Sequence, residues 1–224
     1  MMDKKLFLQA VGKFLCGFLL VALLLFLPAG TLRFFNAWLL IAILFAPMFC
    51  AGLVMLARAP ELLRKRLDAK ETEPEQKLVV LLSGLMFFAA FVVAGISFRF
   101  GWLVLPRWVS WAAAVLFLGA YALYAEVLRE NAYLSRTIGV QEGQKVVDTG
   151  LYGVVRHPMY AATLLLFLSM GLVLGSILSF VILLLYVPII ALRIRSEEAV
   201  LEAGLEGYAE YRTRVRWKVI PFLW

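Results

Sequence analysis

The sequence predicts an all-α, polytopic bundle of membrane-embedded helices. Of 224 residues, 63% are hydrophobic, and the mean hydropathy is +0.90, far above a soluble domain of this size. Runs such as Phe14–Leu27, Ala37–Ala57 and Leu78–Phe98 approach or exceed the roughly 20 residues that cross a hydrocarbon core. Charged residues gather where those runs end. Lipid offers no partner to an open backbone, so spans of this kind are helical.

Six apolar segments follow in order, at about 6–27, 37–57, 78–98, 108–128, 159–174 and 177–194. The first ends in Pro28-Ala29-Gly30, which loosely resembles a cleavage site, but further spans follow and it reads as a retained helix. The last two form one apolar run, too long for a single span and interrupted at Gly175-Ser176, which predicts a helical hairpin with a tight turn. Pro188 predicts a kink in its second arm and frees a carbonyl for a polar neighbour. Cys16 and Cys50 fall inside spans, as small packing residues without a disulfide.

Charge orients the bundle. With the N-terminus cytosolic and the sides alternating, the cytosolic stretches hold Lys4, Lys5 and Lys13, six Lys/Arg between Arg58 and Lys77, four between Arg129 and Arg156, and six from Arg193 onward. Only Arg33, Arg99 and Arg107 fall outside, so nineteen of the 22 basic residues are cytosolic and both termini with them. The net charge of +7 tracks topology rather than a nucleic-acid partner.

Three cytosolic pieces connect these spans. Residues 58–76 read as a short interfacial helix opened by Pro60, then a polar loop. Residues 131–158 are turn-rich, with an extended piece at Gln144–Val147 before the turn Asp148-Thr149-Gly150. From Glu197 to Trp217, Leu201, Leu205, Tyr208, Tyr211 and Val215 recur at helical spacing, predicting an amphipathic tail laid on the membrane face. The closing WKVIPFLW has the aromatics of an interface anchor.

Two polar clusters bracket the hairpin and meet on one side of the bilayer. Arg156-His157-Pro158-Met159-Tyr160 places a cation, the only imidazole and a phenol at a helix N-terminus, whose free N–H groups suit a carboxylate. Pro at that position, and a lone His, are also ordinary structural features. Arg193 and Glu197 share a helix face, with Glu198 beside them; a snorkelling helix end is the plain alternative, though a pair of carboxylates at a bilayer edge is costly without a use. Glu126 and Glu130 read as helix-end partners of Arg129 or of loop cations. GxGxxG, GxxxxGKS/T, GxSxG and HExxH are absent, which removes support for Rossmann, P-loop and common hydrolase sites. One His without a nearby Cys pair argues against bound metal. The residues alone describe an enzyme-like site at the cytosolic membrane face and leave its reaction open.

The string VVDTGLYGVVRHPMY, then RxRxEE about 35 residues later, L-x-x-x-L, Y-x-x-Y and a terminal R-x-K-x-x-P, resembles the isoprenylcysteine carboxyl methyltransferase family. That family sits in a wider group with phospholipid N-methyltransferases and some membrane sterol reductases. The similarity runs from about Asn131 to Trp224, dividing the chain into spans over 1–130 and a methyltransferase-like region over 131–224. It implies an all-helical membrane methyltransferase that uses S-adenosylmethionine without a Rossmann fold. Carried over by position, Gln141, Gln144, Lys145, Val146, Val147, Tyr152, His157, Pro158, Met159 and Tyr160 line the cofactor, with Glu197 and Glu198 near its methionine end. Arg193 and Glu197 serve catalysis, Arg193 facing the acceptor, and the tail with Tyr208 and Tyr211 caps the site. Between the Glu pair and Tyr208 this chain reads Leu205-Glu206-Gly207 where the family often has Phe-Gly.

The resemblance implies carboxyl O-methylation of an isoprenylcysteine-like molecule that enters from the bilayer. The alternatives are N-methylation of a phospholipid amine, reduction with NADPH, and a non-catalytic membrane protein. A transporter calls for ionisable groups near mid-bilayer, whereas here they sit at segment ends.

Overall fold

A computed structural model describes residues 4–67, 74–131, 133–134 and 139–224. The chain forms α1 (Lys4–Ala29), α2 (Phe35–Arg58), α3 (Pro60–Leu67), α4 (Pro74–Phe100), α5 (Arg107–Glu130), α6 (Pro158–Val173), α7 (Ile177–Leu183), α8 (Tyr186–Gly204) and α9 (Tyr208–Arg214), with a 3₁₀ turn at Gly150–Gly153 before α6. Among the described residues, five stretches are long and apolar enough to cross a membrane: α1, α2, α4 from Gln76, α5, and Ile177–Gly204, which joins α7 to α8. Leu19, Leu23, Leu81, Leu85, Val115 and Leu116 stand exposed on these helices. Apolar faces of that extent belong against lipid. Cys16 and Cys50 stand on the exposed faces too, as free thiols. They do not pack the core as expected, because a lipid-facing surface accepts the same residue types as an interior.

The buried core runs through all the long helices, from Leu25 and Phe26 of α1 to Ile190 and Ile194 of α8. Close approach depends on glycine. A Cβ on Gly95 of α4 would lie 2.6 Å from the Leu25 carbonyl of α1, and one on Gly171 of α6 would lie 2.6 Å from the backbone of Phe180 in α7. Small residues at helix crossings take the place that a hydrophobic driving force fills in water.

The hairpin turn forms where Gly175-Ser176 predicts it. Gly175 adopts φ +71°, and the Ser176 hydroxyl accepts from Ser179 N–H at 3.2 Å and donates to Ser97 Oγ at 3.0 Å. Leu105 N–H donates to the Gly175 carbonyl (2.8 Å) and Ile177 N–H to Leu103 (3.2 Å), so the α4–α5 connection satisfies the turn's backbone. The second arm breaks at Leu184-Leu185, one turn ahead of Pro188. Pro188 cannot donate to the Leu184 carbonyl; Val187 N–H takes it at 3.0 Å in a tighter turn, so no neighbouring side chain is needed.

A short helix forms over Pro60–Leu67, where Pro60 is expected to open one, and most of the polar loop after it lies outside the described residues. The tail departs from expectation. Gly207, at φ +81°, splits the predicted amphipathic helix between α8 and α9. Leu205, Tyr208, Tyr211 and Val215 bury themselves against Val140, Val146 and Leu201. The stripe covers the 139–147 loop instead of the membrane, because that loop offers an apolar partner within the same chain.

Gly171→Ala is expected to lower the thermal unfolding midpoint in detergent, by the equivalent of about 1–3 kcal/mol of overpacking. Gly84→Ala, where a Cβ meets nothing within 4 Å, is the control and leaves the midpoint unchanged or higher. Equal midpoints for the two variants would remove the close-approach argument.

Candidate active site

Above the ends of α5, α6 and α8 lies a cleft of about 800 Å³, counted with its open mouth. Its floor is the start of α6 (His157, Met159, Tyr160), one wall is Glu197 and Leu201 of α8, and the other is Gln144, Lys145, Val146, Val147 and Tyr152. Asn131, Tyr133, Leu134 and Gly139 close one end, and Leu205, Tyr208 and Tyr211 form the roof.

One buried ion pair holds floor, wall and roof together. Arg156 Nε donates to Glu198 Oε1 at 2.8 Å, and the two side chains are only 4% and 7% exposed. His157 Nε2 shares the same oxygen at 3.2 Å, and Lys218 Nζ lies 3.3 Å from Oε2. Arg156 Nη1 donates to the carbonyls of Val215 (2.7 Å) and Arg216 (2.9 Å). Backbone bonds repeat the clamp, with Arg156 N–H on Trp217 (2.9 Å) and His157 N–H on Lys218 (2.8 Å). Pro158 at the first turn of α6 needs no N–H partner, which leaves the preceding residues free to be read by the tail.

The loop wall is folded on itself. Gln141 N–H donates to Gln144 Oε1 (2.9 Å), Gln141 Nε2 donates to the Tyr133 carbonyl, and Tyr133 Oη donates to the Gly143 carbonyl (3.2 Å). Glu130, expected to pair with a loop cation, instead accepts from Leu151 N–H at 2.9 Å and anchors the 3₁₀ turn. Glu126 does take Arg129, at 2.9 Å. Asn131 Nδ2 donates to Tyr152 Oη (3.0 Å), and Tyr211 Oη donates to the Tyr152 carbonyl (2.8 Å). Burial pushes the Tyr152 phenol up to about 12 against the opposing Asn131 bond, and burial likewise raises Tyr208 and Tyr211. All three are neutral donors near pH 7 rather than bases.

A second chain of polar contacts leaves the cleft through Tyr160. Its hydroxyl donates to Glu197 Oε2 and accepts from Arg193 Nε at 3.0 Å. Arg193 Nη1 donates to Gln76 Oε1 of α4 at 3.0 Å. Of the residues singled out from the sequence, Gln144, Lys145, Val146, Val147, Tyr152, His157, Met159, Tyr160 and Glu197 line the cleft. Gln141, Pro158, Glu198 and Arg193 do not, and reach it through the neighbours just described. Arg156 and Gln76 carry parts of this network that spacing alone left unassigned. Arg156 stood in the quoted motif, whereas nothing local marks Gln76.

The donor set suits a ligand with both polar and apolar parts. Tyr208 Oη is buried and has no partner among the described residues, while lining the cleft. A buried hydroxyl left that way calls for a ligand atom or water. Glu197 brings a carboxylate to the opposite wall, and Met159, Val146, Leu201 and Leu205 supply apolar surface. A nucleoside carrying an amino-acid chain fits such a lining.

Residues 108–206 match the family model for phospholipid methyltransferase. That family lies within the wider isoprenylcysteine and phospholipid methyltransferase group, and the match supports a membrane methyltransferase of this kind. It spans α5 to the end of α8, hence the floor and both walls but not α9. No curated protein matches the chain.

Arg156→Ala leaves Glu198 buried with a weaker set of partners, and loss of one member of a buried pair costs about 3–5 kcal/mol. Hydrogen exchange is expected to speed up across 208–219 and the 139–147 loop, with helices α1 and α2 unaffected. Unchanged protection over the tail would show that the clamp does not hold the roof.

Proposed function

We propose that the protein is an S-adenosylmethionine-dependent methyltransferase acting on a lipophilic acceptor, first of all the carboxylate of an isoprenylcysteine-like molecule. The observation that carries this reading is the position of Tyr160. Its hydroxyl stands between Glu197, which faces the cleft, and Arg193, which faces α4. One polar chain thus runs from the cleft to α4. Cleft residues are suited to the cofactor and the Arg193 side to an acceptor arriving from lipid.

When bound, S-adenosylmethionine supplies a methyl group already activated on a sulfonium. The chain's residues therefore mainly position the partners, a contribution worth up to about 7–11 kcal/mol in favourable cases. Gln144, Lys145, Val146, Val147 and Tyr152 hold the nucleoside from the loop side, with Met159 below. Glu197 meets the charged amino-acid end, Tyr208 donates its unpartnered hydroxyl, and Glu198 with His157 and Pro158 keeps the floor in shape. Arg193 orients the acceptor carboxylate, and Tyr160 fixes its distance from Glu197. A carboxylate is nucleophilic near neutral pH, so no base is required. The charge distribution of the sequence puts this face in the cytosol.

N-methylation of a phospholipid amine is the second reading, favoured by the description of the matched family. An amine must lose a proton. Glu198 is a poor base, since both its oxygens face cations. Glu197, which touches the cleft, then takes that role.

Calorimetric titration of the detergent-purified protein with S-adenosylhomocysteine is expected to show a single site. Tyr208→Phe should weaken it about 2–10-fold, the worth of one hydrogen bond, without lowering the unfolding midpoint. Arg193→Ala should abolish methylation and keep cofactor affinity. Affinity lost as severely as turnover in Arg193→Ala would end the division of roles across Tyr160. Incubation with methyl-labelled cofactor and total lipid separates the two acceptors: base-labile label is an ester, base-stable label an N-methyl group.

A further inference from the structure

Outside the cleft, Arg66 has hydrogen-bonding capacity that no described residue uses. Arg66, on the last turn of the interfacial helix α3, donates from Nη1 to Tyr124 Oη at 3.0 Å, and its guanidinium carbon lies 5.9 Å from that ring's centre. Its Nε and Nη2 are buried and have no acceptor among the described residues. Gln76, buried at the start of α4, is in the same condition: Oε1 accepts from Arg193, while Nε2 has no partner among the described residues.

Arginine cannot shed its charge, and its planar fork matches the oxygens of carboxylate and phosphate. Buried donors without acceptors are unfavourable unless something occupies them. Tyr124, the partner of Arg66, lies on α5.

We infer that Arg66, through its buried Nε and Nη2 donors, binds an anionic oxygen group on the lipophilic acceptor. This deepens the methyltransferase reading and rests on it for the identity of the ligand as acceptor. The class is an amphiphile whose head carries a carboxylate or a phosphate, lying at the membrane surface with its chain between helices.

The test uses the full chain in a non-ionic detergent with radiolabelled palmitate, hexadecyl phosphate and hexadecanol. The expected result is that at least one anionic amphiphile binds about tenfold or more tightly than the alcohol. The tighter of the two anions identifies the head-group class. Arg66→Gln should bring that ratio close to one while S-adenosylhomocysteine affinity stays unchanged. A wild-type ratio near one, or a ratio retained in Arg66→Gln, overturns the proposal. Loss of homologue binding in the wild-type protein instead sinks the methyltransferase reading and leaves the anion test standing. Should Arg66→Gln fail to fold, hexadecyl phosphate with a photoreactive group beside its head is applied to the wild-type protein. Crosslinks within residues 60–67 or at the start of α4 support the site, and crosslinks confined elsewhere overturn it.

Discussion

The site depends on a single carboxylate placed where lipid, protein and water meet. Glu198 receives Arg156, His157 and Lys218, which come from the turn before α6 and from the tail, while Glu198 itself belongs to α8. Three segments far apart in sequence are thereby tied to one point. An arginine at 4% side-chain exposure is costly unless paired and hydrogen-bonded throughout. Here Nε takes the carboxylate and Nη1 takes two tail carbonyls. The pair therefore does more than stabilise, because its geometry is satisfied only when the tail is seated across the cleft.

Seating the tail has consequences for the loop. The buried stripe Leu205, Tyr208, Tyr211 and Val215 finds Val140 and Val146 on the opposite side, so the 139–147 loop is pressed from above by the roof. From below it is held by Tyr133 and Gln141. Without helix or ladder bonds of its own, this stretch derives its order from those contacts. Opening the roof and loosening the loop are accordingly one event. The proposed cofactor, a nucleoside with an amino-acid arm, would enter and leave through such an event.

Periodicity and charge made the bundle legible: the six apolar segments, the Gly175-Ser176 turn and the helix after Pro60 all form near the positions read from composition. Hydrocarbon enforces helices so strongly that segment length suffices. The tail was misread because helical spacing records which residues are apolar and not what they cover. Leu205 and Tyr208 sit in register for a membrane face, yet Gly207 breaks the helix and a nearer apolar partner exists. Nine of the proposed cofactor and catalytic residues meet at one cleft, since they lie in a short string and one helix turn beyond the hairpin. Gln76 and Arg66 were invisible to any local pattern. Their meaning comes from contacts with Arg193 and Tyr124, more than fifty residues away.

In the proposed reading, two polar regions on either side of Tyr160 resolve a conflict inherent in methylating a membrane-bound molecule. A charged, water-soluble donor and an acceptor with a long apolar chain cannot approach through the same medium. The cleft lies between loop and tail, outside the apolar bundle, whereas Arg193 lies toward α4 with Gln76. Tyr160 touches both the Glu197 carboxylate and the Arg193 guanidinium, so one hydroxyl joins the two charges on a single polar chain. In the proposed reading that chain holds the two unlike partners in line, because a shift of either charge is passed to the other through the same phenol.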